Sequence, residues 1–144
     1  MLLGVRGAFL CIDASTRRCE FITSVATSRY SRYSGCMDLT KKHCAPCEDG
    51  AEPLGEAESR KYAQEIDAAW QVAESGKKIR REFEFSDFKE AIAFVNRVAE
   101  VAEAEGHHPD LMIHYKKVIV ELWTHSIGGL SENDFILAAK IDVA

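Results

Sequence analysis

The sequence predicts an α+β domain, a four-stranded antiparallel sheet with three helices packed on one face, in the order α-β-β-α-β-β-α. Three observations carry this. Apolar residues recur at helical spacing over Glu56–Ala69 and Ser86–Glu105, and a helical stretch closes the chain at Phe135–Ile141. Between the helices lie two pairs of short β-rich runs, each pair joined by a short turn. Strands joined so closely pair antiparallel, and helices placed between the pairs can cover one face of the sheet.

In the first helix Tyr62, Ile66 and Ala69 fall at i, i+4 and i+7, with Gln64, Glu65 and Asp67 between them. Acidic residues lead it, which suits the positive end of the helix dipole. Trp70-Gln71-Val72 begins a strand, and Ser75-Gly76 reads as a hairpin turn. Lys77–Phe85 alternates, with Ile79, Phe83 and Phe85 on one side and Lys78, Arg80, Glu82 and Glu84 on the other. Arg81 is the exception on the apolar side. The central helix opens with Ser86 as N-cap and Asp87 in the first turn, and Gly106 sits where a left-handed terminating residue is wanted. Leu111–Tyr115 and Val118–Thr124 flank Lys116-Lys117, a solvated hairpin tip. Ser131-Glu132-Asn133-Asp134 resembles a capping box ahead of the last helix. The bare face or edge of such a sheet favours self-association.

The chain has 144 residues, 47% apolar and 28% charged, enough for one domain with a real core and a soluble surface. Its longest apolar runs, Ala8–Ile12 and Ala91–Val95, are far below the ~20 residues of a membrane helix. Residues 1–42 carry seven Lys/Arg against three Asp/Glu, whereas residues 43–144 carry eleven against twenty. An acidic domain is poorly suited to neutralising phosphates, so direct nucleic-acid binding is not expected.

Residues 1–37 form an N-terminal extension, rich in Arg and Ser and poor in acids. That is the composition of an organellar transit peptide, which would send the protein to mitochondrion or plastid. A disordered extension without an address would leave it cytoplasmic. Residues 38–55 read as a lead-in of turn and linker residues containing Cys44-Ala45-Pro46-Cys47, and the regular domain spans 56–144. The cysteines, at 11, 19, 36, 44 and 47, all precede the predicted core, which argues against a disulfide framework and for a reduced compartment. His43 and one CxxC supply fewer ligands than a structural zinc site wants, so reduced thiols or a local disulfide fit better than a metal.

Gly106-His107-His108-Pro109-Asp110 follows a helix end and precedes a strand, where Pro109 biases His108 towards extended backbone. His125 ends the second β run. A hairpin centred on Lys116-Lys117 returns it towards the paired histidines, which suggests three imidazoles in one pocket. Imidazole can give or take a proton near neutral pH. The residues alone leave catalysis, metal binding and plain surface histidines open. His114 reads as structural, and Trp70 and Trp123 as core or interface aromatics.

His-His-Pro-Asp, then Tyr-Lys-Lys-Val, then Thr-His-x-x-Gly-Gly-Leu-Ser-Glu-x-Asp, spread over about Leu54 to Val143, closely resembles the pterin-4a-carbinolamine dehydratase family. Gly106, Trp123, Ile127-Gly128-Gly129 and the Cys44–Cys47 lead-in look like its plant and protist branch. The resemblance implies a hydro-lyase that dehydrates 4a-hydroxytetrahydrobiopterin to quinonoid dihydropterin in tetrahydropterin recycling. It implies His107, His108 and His125 as the catalytic set; within that set we expect His108 to be the acid at the 4a-hydroxyl and the other two to position and share proton transfer. Asp110, Thr124 and Asp134 are expected to bind or orient the substrate. It implies no metal or organic cofactor, and a homodimer or homotetramer. Gly106, Leu111 and Asn133 depart from the animal branch, which bears on the fine detail of pterin contact. Animal members also dimerise with a homeodomain transcription factor and some plant-type relatives assist enzyme assembly. The alternative is therefore a non-catalytic binding protein.

Overall fold

The computed structural model describes residues 38–46 and 51–144, which fall within one compact unit. The expected extension over 1–37 and Cys47 of the CxxC pair lie outside the described residues. Seven elements follow in the expected order: α1 (Glu56–Ala63), β1 (Gln71–Ala73), β2 (Lys78–Glu84), α2 (Phe88–Glu105), β3 (Asp110–His114), β4 (Lys117–Leu122) and α3 (Glu132–Ile141). The four strands form one antiparallel sheet in the order β1-β2-β4-β3.

Side-chain alternation sorts the sheet into two faces. Ile79, Arg81 and Phe83 of β2 lie opposite Leu122, Val120 and Val118 of β4, which in turn face Leu111 and Ile113 of β3. Val118, Val120 and Leu122 are wholly buried, and Phe94 and Val98 of α2 and Phe135, Leu137 and Ile141 of α3 pack into the same core. Phe94 meets both Phe83 and Phe85, with ring centroids 4.6 and 5.0 Å apart, while Tyr62 of α1 stacks on Phe135 at 5.4 Å. The inward Arg81, which broke the apolar pattern, is explained by Asp142 just beyond α3. Its guanidinium donates to Asp142 Oδ1 at 2.7 Å, and Trp70 Nε1 donates to the same oxygen at 2.9 Å.

Several boundaries differ from expectation. Helix α1 stops at Ala63 rather than Ala69, because Asp67 folds the chain into a turn. Its carboxylate accepts from the Ala69 amide at 2.8 Å and its carbonyl from the Trp70 amide at 3.0 Å, a local alternative to helix that Asp side chains favour. Ile66 reaches the core from that turn, so its helical spacing misled. The N-cap of α2 is Asp87, not Ser86, for the Asp87 carboxylate accepts from the Glu90 amide at 2.8 Å. Strand β4 ends at Leu122, and His125 begins a one-turn 3-10 helix, His125–Ile127. His114 is the last residue of β3. The hairpin tip is Tyr115-Lys116, not Lys116-Lys117, since His114 pairs with Lys117 and Tyr115 takes a left-handed φ of 55°.

Helix α3 is the central element, buried on all sides from Asn133 to Ala139. The capping box at its start is present: the Ser131 amide donates to Asp134 Oδ2 at 2.7 Å. The lead-in is docked on this helix rather than acting as a plain linker. Leu39 is buried in the core, and the Asn133 side-chain amide both donates to the Ala45 carbonyl, at 2.8 Å, and accepts from its N–H, at 3.0 Å. Cys44 packs against the core, contrary to the expectation that no cysteine would, and its amide donates to Glu105 Oε2 at 2.9 Å.

Candidate active site

Helix α2 ends at Gly106, whose φ of 63° turns the chain sharply and lets the His107 amide bond back to the Ala102 carbonyl at 3.2 Å. This places His107 and His108 at the mouth of β3. On the other side of the hairpin, Asp110 pairs with Glu121, and continuing that register beyond the strand ends sets His107 opposite Thr124. Sequence symmetry about Lys116-Lys117 set His107 opposite Ser126 instead. The offset leaves the three histidines neighbours, because the chain curls into its 3-10 turn at His125. Gly106, His107, His108, Thr124, His125 and Ser126 line one open cavity of about 200 Å³. A second cavity of about 340 Å³ adjoins it at Thr124, lined also by Ala45, Pro46, Ile127 and Ser131.

Each imidazole has a carboxylate at its Nε2. His107 Nε2 lies 2.7 Å from Asp134 Oδ1, His108 Nε2 lies 2.9 Å from Glu103 Oε1, and His125 Nε2 lies 3.7 Å from Asp110 Oδ1. The surroundings grade from dry to wet. The side chains of the Asp134–His107 pair are 0% and 7% exposed, whereas those of His108 and His125 are 60% and 57% exposed. Asp134 Oδ2 also accepts from the Thr124 hydroxyl at 3.0 Å, and Thr124 is itself buried and 2.7 Å from the Ser131 hydroxyl. A carboxylate surrounded by donors acts only as acceptor, which places an N–H at His107 Nε2, so that the neutral ring carries its lone pair at Nδ1.

Of the residues singled out in the sequence, His107, His108, Thr124 and His125 share the cavity, while Asp110 and Asp134 stand behind the imidazoles. Two participants were not anticipated. Glu103 sits in the last turn of α2, where its carboxylate lies 2.9 Å from His108 Nε2. Trp123, expected to be a core or interface aromatic, instead packs on the His125 ring with centroids 4.0 Å apart and donates from Nε1 to Asp110 Oδ2 at 2.7 Å. Among the described residues no group of three or more His, Cys, Asp or Glu is arranged to hold a metal ion. No helix among them is long and apolar enough to cross a membrane.

Glu105, two residues before His107, ties the lead-in to this end of the fold. Burial pushes its carboxyl up, but hydrogen bonds from Lys140 and the Cys44 amide, with the charges of Lys140 and His43, outweigh that and hold it below the usual glutamate range.

Several known proteins are similar to this chain. A Nitrosomonas europaea protein, provisionally named a pterin-4-alpha-carbinolamine dehydratase, is 48% identical over 106 residues, covering 74% of this chain and 92% of its own. A Rickettsia bellii protein of the same provisional name is 50% identical over 105 residues, covering 73% and 92%. A crystal structure from Brucella melitensis, described as a transcriptional coactivator/pterin dehydratase, matches with a TM-score of 0.60 at 35% identity, over 64% of this chain and 97% of that one. These relatives are bacterial, so the likeness to a plant and protist branch rests on sequence motifs alone. Residues 52–144 match the family model described as pterin 4 alpha carbinolamine dehydratase, and the chain belongs to that family.

Proposed function

We propose that this protein dehydrates 4a-hydroxytetrahydrobiopterin to quinonoid dihydropterin and water, by histidine general acid/base catalysis, as a step of tetrahydropterin recycling. The observation that carries the reading is the cavity shared by His107, His108 and His125, each with a carboxylate at Nε2. In the reaction the C4a–O bond breaks and the N5 proton leaves, so that a C4a–N5 double bond forms. One group must protonate the departing hydroxyl and another must take the N5 proton, and imidazoles suit both near neutral pH. His108 is the acid in this reading: it stands at the solvent-open side of the cavity, where Glu103 offers a counter-charge and solvent can return its proton. His107, with Nε2 committed to Asp134, offers Nδ1 as acceptor and shares proton transfer with His125. Thr124, Asp110 and Asp134 orient these groups. The scheme includes no metal or organic cofactor, since imidazoles can supply both the acid and the base it calls for.

The reading includes a homodimer or homotetramer. Exposed Met112 and Ile113 on the edge strand β3 support it, because an unpaired strand edge with apolar side chains is a ready pairing surface. The composition of residues 1–37 supports delivery to mitochondrion or plastid; without cleavage and import the protein would be cytoplasmic.

The test is dehydration of freshly generated 4a-hydroxytetrahydropterin, followed optically, for wild type and His108→Ala. Wild type is expected to accelerate the reaction clearly, and the variant to lose on the order of 100-fold or more, the scale of a lost general acid. No acceleration by folded wild type would overturn the enzyme reading. The compound description of the Brucella melitensis protein favours the second reading, a dimerisation, assembly or coactivator-type binding protein, in that outcome.

A further inference from the structure

We propose that Trp123 is a positioning residue for His125, acting both by ring contact and through the carboxylate of Asp110. The proposal rests on the dehydratase reading only in assigning His125 to the reaction.

His125 is poorly fixed by its own environment. It sits on a single 3-10 turn, and its side chain is 57% exposed, so burial does not choose its rotamer. Asp110 is in the same position, with a side chain 47% exposed. Trp123 ties them together. By alternation along β4, Trp123 follows Ile119 and Glu121 on the sheet face away from the helices, the face that also carries Asp110 of β3. Its indole N–H donates to Asp110 Oδ2 at 2.7 Å, and this fixes the carboxylate so that Oδ1 stands 3.7 Å from His125 Nε2. Its ring meets the His125 ring at 4.0 Å, with the planes inclined by 47°. The three side chains therefore close a triangle in which every pair interacts.

The indole is itself held from a neighbouring strand. Lys78 Nζ of β2 lies 4.8 Å from the Trp123 ring centroid and 3.7 Å from Glu121 Oε2. Neither Trp123 nor Asp110 is among the residues that line the histidine cavity, and the contact Trp123 makes with that cavity's lining is the His125 ring. A distance of 3.7 Å is too long for a direct hydrogen bond but short enough for charge attraction, and a small ring rotation on substrate binding closes it. A carboxylate at Nε2 favours the tautomer protonated there and leaves Nδ1 free to accept a proton. Trp123 thus selects both the orientation and the tautomer of His125.

The test uses the full chain with Trp123→Phe, which keeps an aromatic face and removes the N–H, and Asp110→Asn as a second variant that does not alter the ring stack. Imidazole nitrogen shifts by 15N NMR are expected to show His125 as the Nε2–H tautomer in wild type and as a mixture in both variants. Loss of kcat is expected to be roughly 10- to 100-fold with KM little changed, the range for a misplaced catalytic group. In a His125→Ala background, Trp123→Phe is expected to add no further loss. An unchanged tautomer population in both variants, or an equal loss of kcat with and without His125, would overturn the proposal. The tautomer readout needs no turnover, so an inactive wild type sinks the dehydratase reading and leaves the positioning of His125 decided by NMR.

Discussion

Asp134 Oδ1 and His107 Nε2 lie 2.7 Å apart in a nearly solvent-free setting, and the same carboxylate caps the helix that carries it. Asp134 is a capping-box acid by position and an imidazole partner by direction. The two roles share one side chain because α3 enters the core at its first turn. Folding of the helix start and orientation of His107 are therefore one event.

Asp134→Asn tests this coupling. The amide keeps the shape but introduces an N–H pair where three donors already converge, from His107, Thr124 and the Ser131 amide. Stability is expected to fall by about 2–3 kcal/mol, the range for losing charge-assisted hydrogen bonds in the interior. Activity of the folded fraction is expected to fall by about 100-fold or more, because His107 loses its fixed tautomer. Urea titration with kcat/KM measured below the transition separates the two effects. Full activity in a destabilised variant would reduce Asp134 to a helix cap.

The docking of the lead-in has a pH dependence whose sign follows from Glu105. Its folded carboxyl is held below the ordinary glutamate value of about 4.3, with burial opposing and the hydrogen bonds from Lys140 and the Cys44 amide prevailing. A lowered folded pKa means stabilisation that is present above the unfolded value and lost as pH falls through the folded one. Hydrogen exchange at the Cys44 amide is expected to be slow at neutral pH and to lose protection in acid, below the ordinary glutamate range. Glu105→Gln is expected to show that lost protection already at neutral pH. Equal protection in variant and wild type would show that Leu39 and Asn133 hold the lead-in unaided.

Asp142 makes a contrasting case, a cluster for stability and not for chemistry. It accepts from Arg81 at 2.7 Å and from Trp70 Nε1 at 2.9 Å, with Arg81 and Asp142 side chains only 19% and 15% exposed. Asp142→Ala removes the shared acceptor of a largely buried guanidinium and an indole N–H, leaving Arg81 only the Asp67 carboxylate at 3.6 Å, and is expected to cost about 2–4 kcal/mol. It takes no part in the histidine cavity, so kcat of the folded protein is expected to hold within about twofold. A denaturant midpoint and a saturating-substrate rate check both statements.

What was legible in the sequence was whatever depends on local pattern. The period-two run of β2 and the capping box before α3 both appear as read, since each is set by residues within one element; the buried line of α2 instead runs through Ala91, Phe94, Val98 and Ala102, with Phe88 at 49% exposure. The nearness of the three histidines was legible too, because a hairpin returns its ends to one another. The errors have a common cause in side chains that answer to distant or competing partners. Asp67 ended α1 through its own hydrogen bonds. Tyr115 accepted a left-handed backbone that shifted the hairpin tip. Arg81, rightly read on the apolar side, is held there by Asp142, sixty-one positions away, a partner the local pattern does not show. Trp123 looked like core because nothing in its neighbourhood along the chain shows that Asp110 and His125 meet on its ring. Leu39 and Cys44 looked like linker because their partners on α2 and α3 lie far along the sequence.

Gly129 fixes the loop that carries His125 by close approach to Pro53. A Cβ at Gly129 would stand 2.7 Å from Pro53 Cβ and 3.0 Å from Pro53 Cγ. Neither side can give way cheaply. The proline ring is rigid, and the chain on each side is pinned by backbone bonds from the Leu54 amide to the Leu130 carbonyl, 2.8 Å, and from the Thr124 amide to the Gly129 carbonyl, 2.9 Å. Gly129→Ala must therefore push the Thr124–Gly129 bridge away from Pro53, and Thr124 is the residue next to His125. The expected cost is about 1–3 kcal/mol of stability, the range for overpacking a filled site. A lower kcat is expected with it, since the histidine turn moves with the bridge. Gly55→Ala is the control, because its Cβ would meet only Glu58 Oε2 at 3.8 Å, an ordinary contact. If both substitutions cost the same, backbone entropy and capping explain the effect and the contact with Pro53 does not.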